Sequence, residues 1–147
     1  MARHFVLLSP RGRKKSGCGA IVCRPKRNRR EAFMATYLQL DLDGVEPESG
    51  APAADRLVSG APSFRTWSLD EADGGLYAGI WEATPGKWRI VYDEWEYFNI
   101  LSGYSVVTAD DGETLHLRAG DRMILKPGFK GTWEVVETTR KDYVIRL

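Results

Sequence analysis

Histidine is nearly absent from these 147 residues: His4 and His116 are the only two. Cysteine is equally sparse, with Cys18 and Cys23 alone. A zinc site on "CGAIVC" would need two further ligands, and only His4 lies near. Free thiols are therefore expected, and a structural disulfide is not, in the reducing compartment where the chain is expected to reside. No run approaches the ~20 apolar residues of a membrane span. The early "FVLLSP" is too short, and too soon followed by charge, for a secretory signal. These absences point to a cytoplasmic protein with no membrane partner. Catalytic sets are missing as well: no Ser-His-Asp triad, Cys-His pair or phosphate-cradling loop can be assembled. The run "DGGLYAG" lacks the lysine and the helix that a phosphate loop requires.

Acidic residues are missing from one stretch only. Residues 1–30 hold ten Lys/Arg and no Asp/Glu, and the remainder holds 11 against 20, so a net charge of +1 conceals a basic tail on an acidic body. The tail, "SPRGRKKSGCGAIVCRPKRNRR", offers little to bury and is expected to be disordered. Three readings of it stay open. It contacts nucleic acid or another polyanion, it is an Arg-rich transit peptide, or translation starts at Met34, where "MATYLQL" turns globular. Nucleic-acid binding is expected of the body not at all, and of the tail less than no function.

What the chain does have is aromatic rings and alternation. Five Trp, six Tyr and five Phe fall mostly after residue 60 and supply a core. "YLQLDLDG" alternates Leu38, Leu40 and Leu42 with polar partners, a period of two that predicts a strand. "EPESGAPAAD" reads as a loop, and "RLVSGAPSFRTWSLDEADGG" as edge strands and turns. "LYAGIWEA", "KWRIVYD", "EYFNILSGYSVVTA", "ETLHLRA", "RMILK", "GTWEVVET" and "DYVIRL" then follow as short strands. Turn signals stand between them at Pro85-Gly86, Asp111-Gly112, Gly120-Asp121 and Pro127-Gly128. With no sustained helical period after residue 60, the pattern predicts an all-β barrel or double-sheet jelly roll. The expected organisation is a tail at 1–33, an N-terminal strand and loop at 34–60, and a barrel at 61–147.

Gly86, then Glu96 with Gly103 seven residues on, then Gly120-Asp121 and Pro127-Gly128, form an ordered set. With the closing "GTWEVVETTRKDYVI", it resembles the cupin superfamily over about residues 57–147. Within it, the likeness is to small single-domain cupins grouped with the ureidoglycine aminohydrolase cupin domain and the ethanolamine-utilisation cupins. The resemblance implies a double-stranded β-helix fold, a homodimer, and a ureide, amine or carbohydrate-like ligand or substrate. In standard cupins it also implies a divalent metal on two histidines, the motif glutamate and a third histidine. Counted back from Glu96, the paired histidine positions hold Ile90 and Tyr92; counted forward from Gly86, they hold Tyr92 and Glu94. The third position is Gly131.

Strand parity chooses between the two counts. In "KWRIVYD" the set Trp88, Ile90 and Tyr92 is apolar, whereas Arg89 and Asp93 belong to the wetter face, so the first set is expected to point inward. One glutamate cannot hold a transition metal that needs three or four donors. His116 shares parity with Thr114 and Arg118 and is expected to face solvent. No metal and no other cofactor are expected.

The same parity predicts an interior of Trp88, Ile90, Tyr92, Glu96, Phe98, Ile100, Trp133, Val135, Lys141, Tyr143 and Ile145, beside Gly131. A carboxylate there is costly unless hydrogen-bonded or paired, and the cation that parity turns inward is Lys141. Two readings follow. In the first, the barrel binds a small polar metabolite, with Trp88, Phe98, Trp133 and Tyr143 as walls. In the second, it is a metal-independent enzyme with Glu96 as acid/base beside Tyr92 and Lys141. Against both stands plain core packing, most of all for Trp88, Phe98, Ile100 and Val135.

Overall fold

A computed structural model describes residues 36–147. The basic tail of residues 1–33, with His4, Cys18 and Cys23, lies outside the described residues. The chain divides into two units, and every described strand lies in the one that holds residues 40–147. Residues 36–39 fall in the other unit and form no strand. No helix among the described residues is long and apolar enough to cross a membrane.

Among the described residues there are nine antiparallel strands: β1 (Glu48–Gly50), β2 (Leu57–Gly60), β3 (Phe64–Ala72), β4 (Leu76–Ala83), β5 (Gly86–Val91), β6 (Trp95–Ala109), β7 (Thr114–Arg118), β8 (Arg122–Leu125) and β9 (Lys130–Arg146). The long strands β6 and β9 pair along their whole length and belong to two sheets at once. Near one end they run in the order β1-β3-β4-β9-β6-β8; near the other, in the order β2-β5-β9-β6-β7. The result is the all-β barrel that the strand pattern predicts.

Three local readings change. The stretch "YLQLDLDG" forms no strand despite its alternation, and β1 lies inside the expected loop "EPESGAPAAD". β1 and β2, placed in an N-terminal segment ending at residue 60, pair with β3 and β5 of the barrel. "GTWEVVET" and "DYVIRL" are one strand, β9, whose pairing passes from β5 to β4 across a bend at exposed residues 136–138.

The bend explains the motif glycine. Register shifts in β6 cluster between Ile100 and Ser105, opposite residues 135–141 of β9. Gly103 sits among them with φ +88°, and a Cβ there would lie 2.2 Å from the Thr138 carbonyl oxygen. Only glycine permits both the left-handed backbone and the strand contact. The polar groups at the bend satisfy one another. Trp133 Nε1–H donates to Ser105 Oγ (3.2 Å), Ser105 donates to Thr139 Oγ1 (2.8 Å), and Thr139 donates to the Glu137 carbonyl (2.8 Å).

Between the two sheets the rings form a ladder. Phe64 meets Trp81 at 5.3 Å and Trp88 at 4.9 Å, Trp81 meets Trp133 at 5.8 Å, and Trp133 meets Phe98 at 5.3 Å, all tilted or edge-on. Such offset pairs add about 0.5–1.5 kcal/mol each beyond area burial. This ladder forms the walls around the polar centre.

A candidate site built on a caged ion pair

Glu96 stands on the inward face of β6, between Leu125 of β8 and Ile145 of β9. It is 1% exposed. Parity alone turns it inward, because Phe98 and Ile100 share its face and both are buried. A bare carboxylate at this depth would lose several kcal/mol of hydration. Here each oxygen has a donor: Tyr92 Oη–H donates to Oε2 at 2.6 Å, and Lys141 Nζ donates to Oε1 at 2.7 Å.

Lys141, 5% exposed, comes from β9, where it is registered between Trp81 of β4 and Ile100 of β6. Its ammonium lies 4.4 Å from the Phe98 ring centroid, 4.6 Å from Trp133 and 5.1 Å from Trp81. Three π faces and one carboxylate thus take the place of its hydration shell. Tyr92 follows β5 and is anchored at the mouth: its N–H donates to the Phe129 carbonyl, and its own carbonyl accepts from Gly128. The Phe129 ring meets it edge-on at 6.3 Å.

The residues that sequence reasoning singled out fall into two groups. Glu96, Tyr92 and Lys141 are brought into direct contact, with Phe98 and Trp133 as walls. Trp88 and Tyr143 are buried inside the barrel but engage other partners. Trp88 packs on Phe64 and Trp81. Tyr143 turns to Ser68 instead of the carboxylate, with its hydroxyl in the space left by Gly79, where a Cβ would lie 2.8 Å away. Trp81 completes the cage and was not singled out. Its signal was the inward parity it shares with Tyr77, Gly79 and Ala83 in "LYAGIWEA", which the motif, beginning at Gly86, does not reach.

The expected metal-ligand positions hold buried Ile90, Tyr92 hydrogen-bonded to Glu96, and Gly131. At Gly131 a Cβ would stand 2.2 Å from the Thr108 carbonyl oxygen, so this backbone admits no side chain there. His116 is on the outer face, its Nδ1 hydrogen-bonded to the Tyr104 hydroxyl at 2.6 Å. Both oxygens of Glu96 are engaged. These residues do not fit a transition metal. Elemental analysis of purified protein should find no Mn, Fe, Ni or Zn at one per chain; a stoichiometric metal that leaves on Glu96→Ala would contradict this.

The electrostatics add a second measurable consequence. Burial, reinforced by the Glu96 charge, pushes the Tyr92 phenol well above its ordinary value. Burial likewise pushes Tyr143 up to about 12, against the opposing hydrogen bond with Ser68. A raised phenol pKa means that the fold holds the proton more tightly than the unfolded chain does. Stability is therefore full below about pH 10 and falls as pH rises toward 12. In an alkaline titration followed by phenolate absorbance, these two should ionise late, together with unfolding. Tyr143→Phe should remove part of that late signal; an unchanged titration would contradict the assignment. At the rim, half-buried Glu94 is also raised, first by desolvation and then by its neighbours Glu96 and Asp93.

A family model described as the EutQ-like cupin domain matches residues 70–143. No curated protein matches the chain. Among solved structures it is similar to a protein of unknown function from Pseudomonas syringae pv. tomato, at 24% identity and TM-score 0.63, covering 69% of this chain and 43% of that one. The chain thus spans less than half of that protein. It is also similar to the Clostridium difficile EutQ protein, at 20% identity and TM-score 0.53, covering 66% of this chain and 79% of that one. A third is a predicted oxalate decarboxylase from Thermotoga maritima, at 18% identity and TM-score 0.58, covering 75% and 99%. At these identities the likeness is one of fold.

Proposed function

The chain belongs to the EutQ-like cupin domain family, and on that premise we propose that its barrel binds a small polar metabolite at the Glu96–Lys141–Tyr92 cluster. One observation carries this reading. An ion pair that is 1% and 5% exposed sits in an aromatic interior that apolar residues would fill at less cost. Stability does not call for such a pair, and recognition of polar groups does.

The pair also limits the ligand. Glu96 and Lys141 cancel in charge, so a ligand of net charge would leave one charge unmatched in a desolvated space. A net-neutral molecule avoids this, either as a neutral ureide- or sugar-like compound or as a zwitterion that meets both partners. A ligand that bonds Oε2 of Glu96 must displace the Tyr92 hydroxyl, whose backbone is tied to Gly128 and Phe129. The reading includes a homodimer, supported by the edge strands β1, β2, β7 and β8, each paired on one side only among the described strands. Catalysis is the second reading, favoured by Glu96 standing between a phenol and an ammonium, both able to exchange protons.

The test is to incubate the protein with a metabolite pool and identify by mass spectrometry what it retains. The wild type should retain a net-neutral compound that Glu96→Gln, folded to the same extent, does not. Retention of nothing by wild type, or equal retention by both, would refute the reading. Conversion of the retained compound by wild type alone would favour the enzyme.

A further inference from the structure

The two sheets finish their outer faces differently. On the β2-β5-β9-β6-β7 sheet the outer face carries ion pairs, Lys87 with Glu134 and Arg89 with Asp110, and the hydrogen bond between Tyr104 and His116. The outer face of the β1-β3-β4-β9-β6-β8 sheet is apolar at its centre. Leu101 and Ile124 stand 41% and 47% exposed there, with Ile80, Trp95, Tyr97 and Val144 half-buried around them. A groove of about 510 Å³ crosses the middle, with Leu40–Leu42 along one side. The apolar surface runs on past that groove to Trp95 and Ile124. From Leu69 on β3 to Ile124 on β8 is four strand spacings, about 19 Å. Exposed apolar surface of that breadth marks a protein contact rather than a solvated face.

The composition of the face is that of an interface, where aromatic and arginine side chains are enriched and lysine is depleted. None of its outward strand residues is a lysine; the cations are Arg65, Arg122, Arg140 and Arg146. Arg65 pairs with Glu82. Arg65 and Arg140 also stack on the Trp67 ring, at 5.1 and 4.8 Å, which fixes both guanidiniums before any partner arrives. The body of the chain is acidic, yet the outward strand carboxylates here are only Asp70, Glu82 and Asp142. Two acidic bodies can thus meet on this face without like charge opposing like. The charges also match themselves. Arg140 and Asp142 stand two residues apart on one face of β9. A two-fold axis normal to the sheet between them runs β9 antiparallel over its symmetry mate and sets each guanidinium against the opposite carboxylate. A partner of different sequence gains nothing from that symmetry, and a second copy does.

We infer that this sheet face is the contact between two copies of the chain, packed sheet on sheet about a two-fold axis. The inference rests on the homodimer reading above and assigns it a surface: the side chains of this face, not pairing between edge strands. Leu101, Ile124 and Val144 fill the centre, and half-exposed Leu40 joins them at the rim of the groove. Arg140 bonds Asp142 of the partner subunit.

The experiment is sedimentation of the full chain over a wide dilution series, with circular dichroism to check that each variant folds. Wild type should sediment as a dimer. Leu101→Glu and Ile124→Glu, at positions exposed enough for folding to tolerate, should each raise the dimer dissociation constant about a hundredfold, since each substitution enters a two-fold contact twice. Val136→Glu, comparably exposed at 45% but at the β9 bend away from this face, should leave it unchanged. Arg140→Glu should weaken the dimer, and adding Asp142→Arg should restore it, because the exchanged charges still match about the axis. A wild-type dimer that both Leu101→Glu and Ile124→Glu leave intact would overturn this face while keeping the homodimer. A wild type that is monomeric at every concentration would overturn both, and the face would then belong to a different partner.

Discussion

Removing either half of the interior ion pair should come close to unfolding the protein, and removing both should not. Glu96→Leu leaves the Lys141 ammonium among three rings with no counter-charge, and Lys141→Met leaves the Glu96 carboxylate with only the Tyr92 hydroxyl. An uncompensated buried charge costs about 3–5 kcal/mol, a large share of the roughly 5–15 kcal/mol that holds a domain of this size. The Glu96→Leu/Lys141→Met double variant carries neither buried charge, leaves only the Tyr92 hydroxyl without its acceptor, and should approach wild-type stability. Urea denaturation of the four proteins measures the coupling directly. If the two single losses simply add in the double variant, the pair does not act as a unit. A stable double variant that no longer retains a ligand would separate folding from function at this site.

The second large effect is expected at the bend. Gly103→Ala must place a methyl group 2.2 Å from the Thr138 carbonyl oxygen while holding φ at +88°. The left-handed strain costs about 1–3 kcal/mol, and the clash is with backbone, which cannot swing aside as a side chain could. A total loss of about 3 kcal/mol or more is expected. The damage should not stay local, because the bend carries β6 and β9 from one sheet to the other. Gly112→Ala is the control: it also has positive φ, but nothing lies within 4 Å of its Cβ position. It should lose only the strain. Equal melting temperatures for the two variants would show that the strand contact at Gly103 carries no weight.

The orientation of the site residues is legible in the sequence, and their contacts are not. Alternation along a strand is a local property, so the inward direction of Tyr92, Glu96 and Lys141 follows from the residues beside them. The Lys141–Glu96 contact joins residues 45 positions apart and depends on the register of β9 against β6. Nothing in either strand alone sets that register. Tyr143 illustrates the limit: it shares parity with Lys141, yet it is bonded to Ser68 because Gly79 leaves room on that side.

Composition, turn signals and a period of two thus determined by themselves that this chain is an all-β barrel, where its turns lie, and which residues its interior receives. Each of these depends on neighbours in sequence. Tertiary structure alone decided that the strand runs unbroken through "TTRK" and that Trp81 closes a cage around Lys141. It also decided that Leu38, Leu40 and Leu42 alternate without forming a strand. Alternation states which face a strand would bury, but a strand exists only where another edge accepts its hydrogen bonds, and that edge is supplied by distant parts of the chain.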